Sequence, residues 1–264
     1  MHYPSLSGLL QTLKASPRVK GLFTTGSTAT GIKPSSDIDL VVILDKNTEG
    51  LKAVYTNIER HFSDIFFFDV SYLEGLKKMD EIPANGFEGM LTNWLLKGRI
   101  EHDPDGILTT TKEALSESIC VVGKAEKQDV LTRINYSLIA NRRYFSAEEE
   151  LYHVSLEVRL LYSTVELVTS YFSLRGMPWR GEKDAMAYLA KHDPDYRDLL
   201  LSCIRTSSLD EKMKYYEILF TKTILDDDQV WKNDFVVMVP KNQDKNEEKE
   251  LHDFWDELTE DEKR

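Results

Sequence analysis

Three short, almost continuously apolar runs, each closed off by polar punctuation, constrain this chain more than any other feature. They are Val19 to Thr24, Ile38 to Leu44, and Ile65 to Val70 (Ile-Phe-Phe-Phe-Asp-Val). Runs of this length and composition suit strands covered on both faces. Between the last two, Leu51 to His61 carries Leu51, Val54, Tyr55 and Ile58 at helical spacing, which predicts a helix. Strand, helix, strand implies an α/β domain, a mixed sheet flanked by helices. A stretch with Pro83, Gly86 and Gly89, then the turn Asp103-Pro104-Asp105-Gly106, interrupts the pattern.

After residue 110 the period changes. Ser146-Ala-Glu-Glu149 has the spacing of a capping box, in which hydroxyl and carboxylate each satisfy an orphan N–H. Leu151, Val154, Val158, Leu161, Val165, Val168 and Phe172 follow at steps of three and four, a single apolar seam on a long helix. Arg175, Gly176 and Pro178 supply its stop chemistry. Leu131, Ile134, Leu138 and Phe145 form a similar seam upstream. Ser208-Leu-Asp-Glu211 opens another helix carrying Met213, Tyr216 and Phe220. The second half therefore reads as an all-α helical bundle. The predicted organisation is an α/β domain over 1–110, a bundle over 111–240 and an acidic tail over 241–264. That tail holds 10 acidic and 5 basic residues, so it adds −5 to the charge. It reads as a solvated segment with one amphipathic turn (Leu251, Phe254, Trp255, Leu258), the alternatives being a helix that docks a protein partner and an intramolecular lid.

Composition removes several classes. A net charge of −12 over 264 residues argues against a broad nucleic-acid surface, which needs clustered Lys and Arg. Two cysteines, Cys120 and Cys203, exclude a disulfide-built scaffold and a four-thiolate zinc site. The longest purely aliphatic run, Leu40 to Leu44, falls far short of the roughly 20 residues that cross a bilayer. These features predict a reduced, cytoplasmic protein with no membrane partner. No His-x-x-x-His pair, Gly-x-Ser-x-Gly elbow or Walker-type Gly-Lys-Ser/Thr loop occurs.

The chemistry concentrates between Gly26 and Leu40. Asp37 and Asp39 are two apart on a predicted strand, so both carboxylates leave one face while Ile38 and Leu40 enter the core. Adjacent carboxylates resist ionising together unless a cation neutralises them, and such hard oxygens favour Mg²⁺. Upstream, Gly26-Ser27 stands where a strand ends and a helix is expected to begin. Its free N–H groups and hydroxyl suit a phosphate. A further carboxylate, Asp69, lies in the third apolar run, where it is costly unless paired, protonated or bound to a cation. A metal site facing a phosphate cradle describes nucleotidyl transfer.

The segment from Phe23 to Asp69 resembles the defining motif of the DNA polymerase β-type nucleotidyltransferase superfamily. That motif is a hydrophobic-Gly-Ser, about ten residues, Asp-hydrophobic-Asp-hydrophobic, and a third acid on a later strand. The resemblance implies that Asp37 and Asp39 bind the metals, two Mg²⁺ ions, and that Gly26 and Ser27 grip the phosphates of ATP. Asp69 is then the third ligand, or the base that deprotonates the acceptor hydroxyl. A looser likeness runs from Gly176 through Trp179, Arg180 and Lys183-Asp-Ala to His192 and Tyr196, and resembles the helical domain of aminoglycoside adenylyltransferases. It implies that Lys183 reaches the triphosphate; Arg180 nearby is a candidate for a phosphate contact or for stacking on the base. The expected reaction is transfer of AMP to a small hydroxylated acceptor such as an aminosugar. The alternatives are a toxin-type enzyme modifying protein or tRNA and a non-catalytic nucleotide-binding regulator.

Overall fold

The computed structural model describes residues 5–232 together with Trp255 and Leu258. It separates into two compact units. One runs to Val122 and takes in Met177–Arg180; the other comprises Gly123–Gly176 and the chain from Gly181 onward.

The first unit contains α1 (Leu6–Ala15), β1 (Val19–Thr25), α2 (Gly26–Thr30), β2 (Ile38–Leu44), β3 (Ala53–Ile58), β4 (His61–Asp69) and α3 (Val70–Leu76). After these come β5 (Glu81–Pro83), α4 (Phe87–Lys97), β6 (Arg99–His102), α5 (Ile107–Ser116) and β7 (Ile119–Val121). Among the described residues the main sheet has the order β3-β4-β2-β1-β6, and β5 pairs with β7 separately. Only β2 and β4 run parallel within the main sheet; its other pairs are antiparallel. Successive strand residues face opposite sides, and here both sides are covered. Leu22, Ile38, Leu40, Val42 and Ile65 pack with Leu9 of α1. Phe23, Val41 and Ile43 pack against Leu73, Leu91, Leu95, Leu108 and Leu115 of α3, α4 and α5. Two-sided burial is why these runs are continuous rather than alternating.

The helix expected over Leu51 to His61 does not form. Its residues are the edge strand β3, which returns the chain through a two-residue hairpin into β4. Glu59 and Arg60 both have positive φ, 51° and 70°, the backbone required by a hairpin turn of the primed type. Val54, Tyr55, Thr56 and Ile58 are β-branched or aromatic. The apparent helical stripe was not a buried face: Leu51, Val54 and Tyr55 are exposed and only Ile58 is buried. Ring stacking of Tyr55 on Phe62 across the hairpin completes the edge.

α5 lies across the position near residue 110 where the sequence places a boundary; its Leu108 and Leu115 are buried in the first unit's core. The second unit holds α6 (Lys124–Phe145), α7 (Glu150–Leu174), α8 (Glu182–His192), α9 (Pro194–Arg205) and α10 (Leu209–Thr223). Ser208 caps α10 by accepting from the Glu211 N–H, and Met213, Tyr216 and Phe220 are buried as their spacing predicts. Arg175 ends α7 by donating to the Tyr171 carbonyl and to the Lys222 and Thr223 carbonyls at the end of α10. The capping box is absent. Ser146 is the C-cap of α6, and Glu149 precedes α7 without a side-chain cap bond. α6 simply continues through Phe145 and consumes the serine. The buried face of α7 is Leu156, Leu160, Thr164, Leu167 and Tyr171; of the predicted seam only Val168 and Phe172 are buried. No helix among the described residues is long and apolar enough to cross a membrane. The acidic stretch 241–264 lies outside the described residues except for Trp255 and Leu258, which are helical and exposed.

Candidate active site

At the end of β1, Thr25 pairs with Asp39 across the β1–β2 ladder. The chain then turns sharply into the short helix α2. Gly26 has φ +57°, and a Cβ placed there would lie 2.5 Å from Asp39 Oδ2. Left-handed backbone and close approach each call for glycine. The turn is tied to the aspartate segment by two hydroxyls. Ser27 Oγ donates to the Asp37 carbonyl (3.3 Å). The buried Thr28 Oγ1 accepts from the Asp39 N–H (2.8 Å) and donates to the Asp37 carbonyl (3.4 Å). Nothing in the Gly-Ser pattern singled out Thr28, because its role depends on a strand eleven residues away.

Asp37 and Asp39 are half-buried while Ile38 and Leu40 are fully buried, so the alternation read from the sequence holds locally. The third acid, Asp69, stands apart from the other two. In the parallel β2–β4 register, Asp39 pairs with Asp64, and Asp69 pairs with Leu44 at the opposite end of the strands. At about 3.3 Å per residue, Asp69 lies roughly 16 Å beyond Asp64. Its carboxylate is the N-cap of α3, where it accepts from Ser71 Oγ (2.6 Å) and the Tyr72 N–H (3.0 Å). The Ser71 hydroxyl, chiefly, holds the Asp69 carboxyl below its ordinary range. A carboxylate at the end of an apolar strand is here paired with a helix terminus.

Asp64 has the properties expected of Asp69. Its Oδ1 is buried and has no hydrogen-bond partner. Burial first, and the charge of Asp37 second, push its carboxyl above the ordinary value. An orphaned, repelled carboxylate oxygen beside a second acid is what a hard cation would neutralise. As placed, no group of three or more His, Cys, Asp or Glu side chains among the described residues forms a metal cage. The signal that could have found Asp64 is the matching of strand entries. Asp39-Leu-Val-Val-Ile and Asp64-Ile-Phe-Phe-Phe each begin an apolar run with an acid.

The two cationic candidates fall in different units. Arg180 belongs with the first: its guanidinium donates to Asn93 of α4, and the neighbouring Trp179 N–H donates to Asn85 (2.7 Å). Lys183 stands exposed in the first turn of α8, between Glu182 and Asp184. Those two carboxylates already favour the helix N-terminus.

Residues 6–84 match the family model of the nucleotidyltransferase domain. No curated protein matches this chain. Among solved structures, a nucleotidyltransferase-like protein from Exiguobacterium sibiricum 255-15 is similar with 12% identity and a TM-score of 0.46. The match covers 83% of this chain and 73% of that one. The matched region contains the Gly26–Thr28 turn, Asp37, Asp39 and Asp64, so the likeness to the nucleotidyltransferase domain falls on the residues that form this site.

Proposed function

We propose that this protein transfers a nucleoside monophosphate, AMP from ATP, to a hydroxyl of a small acceptor such as an aminosugar, with release of pyrophosphate. The observation that carries the reading is the pairing of Asp39 with Asp64 beside the turn stitched to the same strand by Ser27 and Thr28. Asp37, Asp39 and Asp64 would hold Mg²⁺, two ions by the family likeness. When bound, Mg²⁺ neutralises phosphate charge and lowers the pKa of the acceptor hydroxyl.

The chain's own residues supply the rest. Gly26, with no Cβ, leaves room for a phosphate against the backbone, and Ser27 offers a hydroxyl to it. Arg180, in the same unit as Asp37, Asp39 and Asp64, would bring positive charge to the triphosphate. In-line attack on the α-phosphorus then needs mainly positioning and charge neutralisation. A net charge of −12 favours a cationic acceptor.

The test is incubation with labelled ATP, Mg²⁺ and cell extract, with pyrophosphate measured in parallel. Label in the small-molecule fraction with matching pyrophosphate is expected. Label in RNA or protein would overturn the acceptor class. ATP binding by calorimetry without pyrophosphate from any fraction would make the chain a regulator and end the proposal.

A further inference from the structure

α7 is apolar on two opposite faces. Its inward face, Leu156, Leu160, Leu167 and Tyr171, is buried within the second unit. On the other side Leu151, Val154, Val158, Leu161 and Val165 are each between 54% and 73% exposed, with Tyr162 half exposed beside them. A helix with a second apolar face has that face left to cover, and among the described residues nothing covers it. The geometry points to a second copy of the same chain as its occupant, with α7 packed on its symmetry mate.

Two features select that occupant. First, the exposed residues advance by three, four, three and four, a repeat of 3.5 residues that keeps one seam facing a partner helix in a two-stranded coil. The seam needs only itself as partner, because a two-fold axis brings one patch onto its own copy. Second, the area fits. Six side chains half or more exposed present on the order of 700 Å², against roughly 800 Å² per partner in a stable dimer and ~300–600 Å² for the largest patch on a monomer. The segment 241–264 is the rival occupant, with four apolar residues spread among ten acids.

Light scattering on the full-length chain at tens of micromolar should give twice the 30.5 kDa chain mass. Val158→Glu combined with Leu161→Glu should give the single-chain mass with unchanged far-ultraviolet circular dichroism, since both positions face solvent in the single chain. Should the double variant misfold, Leu161→Ala serves alone: sedimentation should show a dimer dissociation constant raised roughly tenfold or more. A wild-type chain that stays at single mass at every concentration overturns the proposal, as does an unchanged dissociation constant in Leu161→Ala. Dimerisation appearing only after residues 241–264 are deleted would show that the chain's own tail covers the stripe, and also overturns it.

Discussion

Asp64→Asn keeps the side-chain volume and removes a charge that both burial and Asp37 disfavour. An ionised carboxylate buried without a partner costs about 1–3 kcal/mol or more, and the Asn amide, which keeps an acceptor but carries no charge, relieves part of that cost. With the residue only half-buried and water screening the repulsion, about 1 kcal/mol is the appropriate figure. In the absence of metal at neutral pH the variant should therefore be more stable than the wild type by that amount, a rise of roughly 2–4 °C in Tm. The pH dependence has a defined sign. The folded-state carboxyl titrates above its ordinary 3.8, so the penalty is absent when both states are protonated and grows as pH rises through that region. The gain should shrink to nothing at about pH 3 and be complete by neutrality. Mg²⁺ should reverse the order. At ten times its Kd it would stabilise the wild type by about 1.4 kcal/mol, while the variant, lacking the ligand charge, would gain little. Thermal melts at several pH values, with and without MgCl₂, together with pyrophosphate release, check all three points. Mg²⁺-dependent transfer surviving in Asp64→Asn, or a variant less stable than wild type at neutral pH, would refute the reasoning.

The counterpart is Asp69→Ala, which removes the α3 cap and should cost about 1 kcal/mol while sparing transfer, in contrast to Asp64→Asn. Because the Asp69 carboxyl is held below 3.8 in the fold, that cost should be present at neutral pH and vanish as pH falls through the folded value. Equal loss of transfer in the two variants would restore Asp69 to the site. Gly26→Ala forces a side chain into left-handed backbone and against Asp39 Oδ2. It should lower stability by about 1–2 kcal/mol and slow transfer at least tenfold, as read by melting and pyrophosphate assay. Thr28→Val leaves the Asp39 N–H without its acceptor, at a cost of about 1–3 kcal/mol. Hydrogen exchange at that amide should accelerate, and an unchanged rate would show that Thr28 does not hold the turn.

Much of the domain could be read one segment at a time. β1, β2 and most of β4 announce themselves because burial on both faces leaves an uninterrupted apolar run. Half-buried Asp37 and Asp39 alternate with buried Ile38 and Leu40, a pattern legible because it belongs to one short segment. The start of α10 is equally local, resting on Ser208. β3 is not legible in this way, for the opposite reason. Its six residues fit either period, and the arbiter was a hairpin turn at Glu59 and Arg60, two residues with no special turn propensity that adopt positive φ once β4 is in place.

The amino-acid order alone determined the apolar strands, the bend at Gly26 and the pair of acids that follows it, since each depends on residues a few positions apart. Which aspartate stands opposite Asp39, and which face of α7 enters the core, only the tertiary structure decided. Asp64 and Asp69 sit in one strand with the same chemistry, and a register between two strands separated by a hairpin assigns one to Asp39 and the other to a helix cap. Pairing and packing sum over contacts distant in sequence, and no local period carries that sum.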